Sequence, residues 1–301
     1  MSKIVCVCFS TTIQRTIQFE NLRLEDVNRS KSYIKDASGK AVNAARVLNQ
    51  LESGCATVVC PVGKENFKEF IELAKKDSLN VTAVETPGRT RECWTLVDVD
   101  NHTTTELVVS EPALSEDYSS TEEKLLFALR KEIETSDAVL LAGSRPACWS
   151  ADIYSVVAKM AKSAGKIFLA DFCGKDLTET IEIATPDIIK INEQEFVKTF
   201  ELSNFPSEDY LKDLISQKSK AMNNTLIVTR GTKPTFAAFS GDFKEFPVEK
   251  VIPVNTTACG DSFDAGYLYE FLETQDFESS LAKGTWCAAR NAENLRPGAI
   301  F

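Results

Sequence analysis

The alternation of hydrophobic and polar residues along this 301-residue chain predicts strands and helices in turn. Residues 3–9 form an almost continuous β-rich run, which is typical of a strand buried in a parallel sheet. Residues 11–20 and 29–35 alternate polar with apolar positions and predict strands with one covered face. The next apolar side chains recur at the i, i+3, i+4, i+7 spacing of an amphipathic helix: Ala41, Ala44, Ala45, Leu48 and Leu51.

The rest of the chain continues this alternation. Strands are predicted over residues 56–60, 81–84, 137–142, 166–170, 225–229 and 248–254, and helices over 66–76, 122–133, 150–163 and 279–291. A hairpin is predicted from 92–99 and 103–109, with Asn101 and His102 at its tip. A further helix begins near residue 261, where Ala265, Leu268 and Leu272 lie on one face. With no repeat and no linker, the pattern predicts one α/β domain over 1–301, with a mainly parallel central sheet flanked by helices.

Composition narrows the classes of function. Hydrophobic residues make up 43% and charged residues 26%, as in an ordinary water-soluble protein. The net charge of −10 argues against a nucleic-acid partner, and no apolar run approaches the roughly 18 residues that would cross a bilayer, so no membrane partner is expected. The nine cysteines are an odd number with no Cys-x-x-Cys pair, which favours free thiols and a cytoplasmic location. A single histidine, His102, argues against histidine-based triads and metal sites.

The segment at 254–266 is the strongest candidate for chemistry. Small residues precede a predicted helix there, so main-chain N–H groups and the positive end of the helix dipole could surround an anion. Asp261 stands in the first turn of that helix, where an ionised carboxylate could accept a proton from a nearby hydroxyl. Aspartate near a helix start is also a common cap.

A second segment, at 36–48, could hold a phosphate or a sugar hydroxyl. Ser38 and Gly39 mark the entry to the first predicted helix, and Lys40 and Asn43 share one of its faces near the N-terminus. By itself this pattern is also that of an amphipathic helix with a solvated lysine.

Together the two segments resemble the signatures of the PfkB (ribokinase-like) carbohydrate kinases. The later segment matches the family pattern at Asn255, Thr256, Gly260, Asp261, Ser262, Phe263, Ala265 and Gly266. Ala258 and Cys259 replace its usual Gly-Ala, and Ser38 replaces the first glycine of the earlier signature. The lysine at position 40 resembles the hexose-phosphate branch, which includes 1-phosphofructokinase and tagatose-6-phosphate kinase. The resemblance implies a ribokinase-like fold with a small β-sheet lid, formed here by about residues 10–37 and 86–112.

The resemblance also implies roles for individual residues. Asp261 would be the catalytic base, and the amides of Ala258, Cys259 and Gly260 would form the anion hole. The sugar phosphate would be bound by Gln14, Arg29, Ser38, Gly39, Lys40, Asn43, Arg91 and Ser144. The nucleotide would be bound by Lys190, Asn192, Thr229, Gly231, Thr257 and Asn291, with Asn192 and Glu195 placing a hydrated Mg²⁺. The family often has an aspartate where this chain has Gln14, so the sugar preference is open.

The expected activity is ATP-dependent phosphorylation of a hexose monophosphate, most like 1-phosphofructokinase, with ATP and Mg²⁺ as cofactors. Tagatose-6-phosphate kinase and 6-phosphofructokinase remain alternatives. A different class is also open, namely a kinase-derived protein that binds sugar phosphate or nucleotide without turnover, because Gln14, Ser38 and Ala258 depart from the family pattern. In relatives the lid often pairs with a second subunit, so a homodimer through the lid is a further option.

Overall fold

The structure is a computed structural model that describes residues 2–111 and 119–301. Its strands, in chain order, are β1 (Ile4–Val7), β2 (Thr12–Phe19), β3 (Tyr33–Ser38), β4 (Ala56–Gly63), β5 (Asn80–Thr86), β6 (Glu92–Asp98), β7 (Thr103–Val108), β8 (Ala138–Ala142), β9 (Ile167–Asp171), β10 (Ile188–Asn192), β11 (Thr225–Arg230), β12 (Lys233–Phe239) and β13 (Asp242–Phe246). Its helices are α1 (Lys40–Leu51), α2 (Phe67–Lys76), α3 (Ser119–Glu134), α4 (Ile153–Ser163), α5 (Lys175–Ala184), α6 (Glu193–Thr199), α7 (Glu208–Met222), α8 (Cys259–Thr274) and α9 (Phe277–Ala292).

The larger sheet has nine strands in the order β13-β12-β11-β10-β9-β8-β1-β4-β5. From β11 to β5 neighbouring strands are parallel, whereas β12 and β13 are antiparallel additions at one edge. The predicted α/β fold with a mainly parallel sheet is therefore confirmed. Its chemical consequence is that the carboxyl ends of adjacent parallel strands meet at one edge, where folds of this type place their sites.

Helices cover both faces of the large sheet, because each strand presents apolar side chains on both sides. Ile4 and Cys6 of β1 belong to a core that also contains side chains of α1, α2, α8 and α9. Val5 and Val7 of the same strand belong to a second core with side chains of α3 to α7. The continuous apolar run at the start of the sequence thus reflects burial on both faces, as expected for a parallel strand.

The second sheet is small, with the order β3-β2-β6-β7. Its strands lie inside the two segments predicted to form a lid, except that β3 extends one residue further, to Ser38. Residue 112, the last residue of the second predicted segment, lies outside the described residues. β2 pairs with β3 antiparallel and with β6 parallel, which joins the two segments into one sheet. Whether this sheet opens and closes as a lid, and whether 1–301 is one domain, stay predictions.

One predicted strand is wrong. Residues 248–254 form no strand, although their apolar residues suggested one. Pro247 precedes the segment and Pro253 lies within it, and neither can donate to a ladder; Ile252 is 76% exposed. The segment instead runs back toward α9, where the amide of Val254 donates to the carbonyl of Ala292 at 2.7 Å.

Two minor expectations, on the cysteines and on the histidine, are confirmed. All nine cysteines are free, and His102 is exposed between β6 and β7. Across the described ranges 2–111 and 119–301, the helices are too short or too polar for a membrane span.

The start of α8 fixes the position of the candidate site and contains an unusual backbone conformation. Ala258, the residue before the helix, has φ 67° and ψ 12°, in the left-handed region. An alanine Cβ in that region costs about 1–2 kcal/mol, whereas glycine adopts it freely. The chain therefore holds a strained residue where the family pattern has glycine.

We expect Ala258→Gly to stabilise the protein by about 0.5–1 kcal/mol, because relief of the left-handed strain exceeds the entropy that glycine adds to the unfolded chain. Urea unfolding should show a higher midpoint at an unchanged slope. Ala265→Gly, in the interior of the same helix, is the matched control and should destabilise by about 1 kcal/mol. A lower midpoint for Ala258→Gly would contradict this account of the loop.

Candidate active site

The candidate site is built around a hydrogen bond that joins the two signature segments. Asn43, in the first turn of α1, donates through Nδ2 to Oδ2 of Asp261, in the first turn of α8, at 2.8 Å. The two residues are 218 positions apart in the chain. Asp261 is 5% exposed and Asn43 is equally buried. The folding of the chain thus brings the predicted base and a predicted substrate-binding residue into direct contact.

Two donors fix the orientation of the Asn43 amide. Its Oδ1 accepts from the Ser38 hydroxyl at 2.9 Å and from Nη1 of Arg46 at 3.0 Å. With the oxygen engaged by two donors, the NH₂ group must be the part that faces Asp261. Arg46 is itself held by an ion pair with Asp77 at 2.9 Å, and both side chains are almost fully buried.

Free main-chain amides surround the start of α8. The amide of Ser262 donates to the carbonyl of Ala258 at 2.9 Å, and that of Cys259 donates to Thr256 at 3.3 Å. Within the described part of the chain, the amides of Ala258, Gly260 and Asp261 donate to no acceptor. Of the three amides predicted to form the anion hole, those of Ala258 and Gly260 are therefore free, and that of Cys259 is already engaged. The free amide of Asp261 was not predicted from the sequence. Such a group of amides at the N-terminus of a 16-residue helix favours an anion.

Beneath these amides lies a buried charge cluster. Lys190 contacts Asp171 at 2.9 Å and Asp264 at 3.1 Å, and all three side chains are at most 4% exposed. A Cβ on Gly260 would lie 3.1 Å from Nζ of Lys190, so the ammonium group is directly below the loop. Burial would raise the pKa of Asp171, but Lys190 and Lys40 lower it well below its usual range. Burial raises the pKa of Asp264, and the neighbouring Asp171 adds to the increase.

Asp261 itself has a raised pKa. Burial is the largest cause and the charge of Asp171 adds to it, whereas Lys40 and the hydrogen bond from Asn43 act in the opposite direction. The result is a pKa of about 6. A carboxylate with this pKa is ionised at neutral pH and is a stronger proton acceptor than an exposed aspartate.

Lys40 connects this cluster to the predicted metal residues. Its Nζ lies 3.3 Å from Asp171 and 3.6 Å from Oε1 of Glu195, and 39% of its side chain is exposed. Burial would lower its pKa, but Asp171 and Glu195 raise it by more, so the ammonium form is retained. Lys40 therefore joins the buried charge cluster to the segment predicted to bind the nucleotide.

Asn192 and Glu195 form a capping box at the start of α6. Oδ1 of Asn192 accepts from the amide of Glu195, and Oε2 of Glu195 accepts from the amide of Asn192. In the described ranges there is no group of three histidine, cysteine or acidic side chains that could hold a metal. Mg²⁺ commonly takes one or two carboxylates and completes its shell with water and phosphate oxygens, and the partly exposed Glu195 fits that mode.

The predicted phosphate-binding residues reach the same region from other elements. Arg91 donates to the hydroxyl of Ser10 at 2.6 Å and pairs with Glu111 at 3.1 Å. The carbonyl of Ser10 lies 3.1 Å from where a Cβ on Gly39 would be. That Cβ would also lie only 2.6 Å from Sγ of Cys8, and φ is 132°, so position 39 requires glycine. Because Ser10 contacts both Arg91 and Gly39, Arg91 lies beside the N-terminus of α1.

Three other predicted substrate residues occupy different surroundings. Ser144 follows Gly143, and a Cβ added to Gly143 would lie 3.9 Å from Cβ of Lys40. Gln14 is 7% exposed and donates through Nε2 to Thr95 at 2.6 Å. Arg29 is exposed in the connection between β2 and β3. The substrate role of each stays a prediction.

The predicted nucleotide residues lie on adjacent elements. Thr229 is opposite Asn192 in the β10–β11 pair, at a register irregularity, and Gly231 follows with φ 62°. Asn291 is fully buried and holds the loop from behind: its Nδ2 donates to the carbonyl of Thr257 at 2.9 Å, and its Oδ1 accepts from Gly298 at 2.7 Å. Asn291 therefore supports the loop before α8 through Thr257, whereas its contact with a nucleotide stays a prediction.

Two residues of the site, Arg46 and Asp264, were not singled out in the sequence. Asp171 is recognisable there as an acidic residue at a strand end, in a segment that resembles a family motif, but the sequence assigned it no role. Asp264 lies three residues after Asp261 on the same helix, among small and apolar residues. A charged residue in such an apolar segment was the one indication in the sequence, because a buried charge normally has a partner of opposite sign.

Comparison with known proteins agrees with this geometry. Residues 3–299 match the family model described as pfkB family carbohydrate kinase. Among solved structures, a protein described as a possible 1-phosphofructokinase from Thermotoga maritima has a TM-score of 0.88 at 17% identity, with 98% of this chain and 93% of that chain covered. Phosphofructokinase-2 from Escherichia coli in complex with fructose-6-phosphate has a TM-score of 0.84 at 16% identity, with 97% and 94% covered.

A third similar structure is the tetrameric inhibited form of phosphofructokinase-2 from Escherichia coli, with a TM-score of 0.84, 16% identity, and 97% of this chain and 94% of that chain covered. At these identities the structural matches establish the fold, whereas the family model spans nearly the whole chain. The chain therefore belongs to the pfkB family of carbohydrate kinases and is an ATP-dependent sugar kinase.

Proposed function

We propose that this kinase phosphorylates a hydroxyl of a hexose monophosphate, most like the conversion of fructose-1-phosphate to fructose-1,6-bisphosphate. The observation that supports it best is the Asp261 carboxylate, held at 2.8 Å by Asn43 beside free amides at the start of α8. A base next to an anion site is what transfer of a phosphoryl group to a hydroxyl needs.

In the proposed step, Asp261 accepts the proton of the substrate hydroxyl as its oxygen attacks the terminal phosphorus of ATP. The amides of Ala258, Gly260 and Asp261 stabilise the negative charge on the transferring group, and ADP leaves. A Mg²⁺ near Glu195 and Asn192 would neutralise charge on the nucleotide phosphates.

The phosphate already on the sugar needs separate cations. Arg91 is suited to it, because a guanidinium can grip a phosphate with two parallel hydrogen bonds. In the structure Arg91 is paired with Glu111, so the phosphate would compete with that carboxylate. Ser144, Lys40 and Asn43 would complete the binding site, and Arg29 would reach it from the β2–β3 connection.

Tagatose-6-phosphate and fructose-6-phosphate remain alternative substrates within the same site. A coupled ADP-release assay over fructose-1-phosphate, fructose-6-phosphate, tagatose-6-phosphate and unphosphorylated sugars would identify the substrate. A homodimer through the small sheet is a further part of the proposal. Tyr33 and Leu107, which are 55% and 49% exposed, support it because they lie on the same face of that sheet.

The raised pKa of Asp261 predicts an acid limb in the pH profile. kcat/KM should be constant above pH 7 and fall about tenfold per unit below the pKa of about 6, because only the ionised carboxylate accepts a proton. Asn43→Ala removes a hydrogen bond that lowers this pKa, so the limb should move to higher pH. Asn49→Ala, near the end of the same helix, is the control. A limb at the same pH in Asn43→Ala and wild type would contradict the assignment.

Asp261→Asn should reduce kcat by at least about 10²-fold, since the amide cannot accept the proton. ADP release would measure turnover, and isothermal titration should show that nucleotide binding is retained. Asp276→Asn is the control, because asparagine also serves as the cap that Asp276 provides for α9. Near-normal turnover by Asp261→Asn would refute its role as base.

Arg91→Ala should raise the KM for the sugar phosphate by about 10-fold to 100-fold, the cost of losing hydrogen bonds to a charged group. The KM for ATP and the slow use of an unphosphorylated sugar should change little. The control is Arg89→Ala, two residues away, whose guanidinium is half exposed and pairs with Glu92. An equal loss with phosphorylated and unphosphorylated sugars would show that Arg91 does not bind the phosphate.

A further inference from the structure

One face of the small sheet carries a group of buried polar side chains beside the apolar Cys93 and Val97. Gln14 lies opposite Asp36 in the β2–β3 pair, and Thr16 lies opposite Thr95 in the β2–β6 pair. Because alternate residues of a strand share a face, these four side chains form one surface, the polar lid face. They are 7%, 5%, 1% and 0% exposed, respectively. A buried sheet face is usually apolar, so this composition needs an explanation.

Two oxygens on the polar lid face have no hydrogen-bond partner within residues 2–111 and 119–301: Oγ1 of Thr16 and Oδ2 of Asp36. Arg296 binds the other oxygen of Asp36, since its Nε and Nη2 both donate to Oδ1, at 3.0 and 2.6 Å. An arginine commonly takes both oxygens of a carboxylate. Here the ion pair fixes the Asp36 side chain and leaves Oδ2 unused.

The polar lid face leads directly to the catalytic carboxylate. Ser38 is two residues beyond Asp36 on β3 and on the same side of the strand, at a separation of about 7 Å. Its hydroxyl donates to Asn43, which donates to Asp261. A sugar whose reacting hydroxyl lies at Asp261 could therefore extend its other hydroxyls toward Asp36.

We propose that Asp36 is a specificity-determining residue whose Oδ2 accepts a hydrogen bond from a hydroxyl of the acceptor sugar, and that Thr16 binds a neighbouring hydroxyl. A buried acceptor without a donor is unfavourable, and a ligand hydroxyl removes that cost. Gln14 faces Asp36 across the strand pair but gives its NH₂ group to Thr95, so it leaves the acceptor role to Asp36. This inference rests on the proposed function, because it concerns the sugar of that reaction.

The test compares each hexose phosphate with its single-deoxy analogues. In the wild type, kcat/KM should fall at least about tenfold when the hydroxyl bound by Asp36 is missing, the size expected for a hydrogen bond to a charged group. In Asp36→Asn the parent sugar phosphate should lose about that factor, and the parent-to-deoxy ratio should approach one. The KM for ATP should stay unchanged.

Asp77→Asn is the control for the ion pair, because Asp77 also pairs with Arg296 but lies outside the small sheet. Since Asp77 also holds Arg46, this variant is compared by its parent-to-deoxy ratio and not by its kcat. A purely structural role of the ion pair would affect both variants alike, whereas the proposal requires the parent-to-deoxy ratio to change only in Asp36→Asn. A double variant, Gln14→Asp with Asp36→Asn, returns a carboxylate to the same face and should recover part of the discrimination.

An unchanged parent-to-deoxy ratio in folded Asp36→Asn overturns the inference and leaves the proposed function intact. If Asp36→Asn does not fold, Thr16→Val decides, since it removes the other unpartnered oxygen without breaking an ion pair. It should reduce discrimination at a second hydroxyl about threefold or more, and no reduction overturns the inference. Absence of turnover by the wild type with every hexose phosphate would instead overturn the proposed function and, with it, this inference.

Discussion

The hydrogen bond between Asn43 and Asp261 is the contact on which the site depends. It joins the N-termini of two helices from opposite ends of the chain, and it works only if the asparagine amide has one orientation. Ser38 and Arg46 enforce that orientation by donating to Oδ1. Arg46 in turn relies on Asp77, which Arg296 also contacts. The placement of one proton acceptor is thus distributed over residues from α1, the end of α2 and the C-terminal segment.

Burial of charge is the second constraint, and the site resolves it by pairing. Asp171 can remain ionised while fully buried because Lys190 and Lys40 both lie beside it. Asp261 is held instead by the neutral amide of Asn43, and its pKa rises to about 6. Asp171 and Asp261 therefore differ in basicity because their surroundings differ, and Asp261 is the stronger proton acceptor of the two.

Much of the fold and part of the site could be predicted from the sequence. The buried strand at residues 3–9 was predicted from its continuous apolar run, and the helix that carries Lys40 and Asn43 from its helical apolar spacing, because both patterns indicate burial. The strand expected at 248–254 does not form, because two prolines override its apolar composition. Helices α5 and α7 and the β12–β13 hairpin were not identified. Neither was Asp264, because its partner Lys190 is far away in the chain and no local pattern reveals a long-range ion pair.

Gly39, the single residue between β3 and α1, links the position of the small sheet to that of α1. β3 ends at Ser38 and α1 begins at Lys40, so the chain passes from the small sheet to α1 through Gly39 alone. Cys8 and backbone atoms pack closely against Gly39, so there is little room for it to move. Because Ser38 donates to Asn43 and Asn43 donates to Asp261, a displacement of the small sheet relative to α1 would disturb the amide that holds the Asp261 carboxylate.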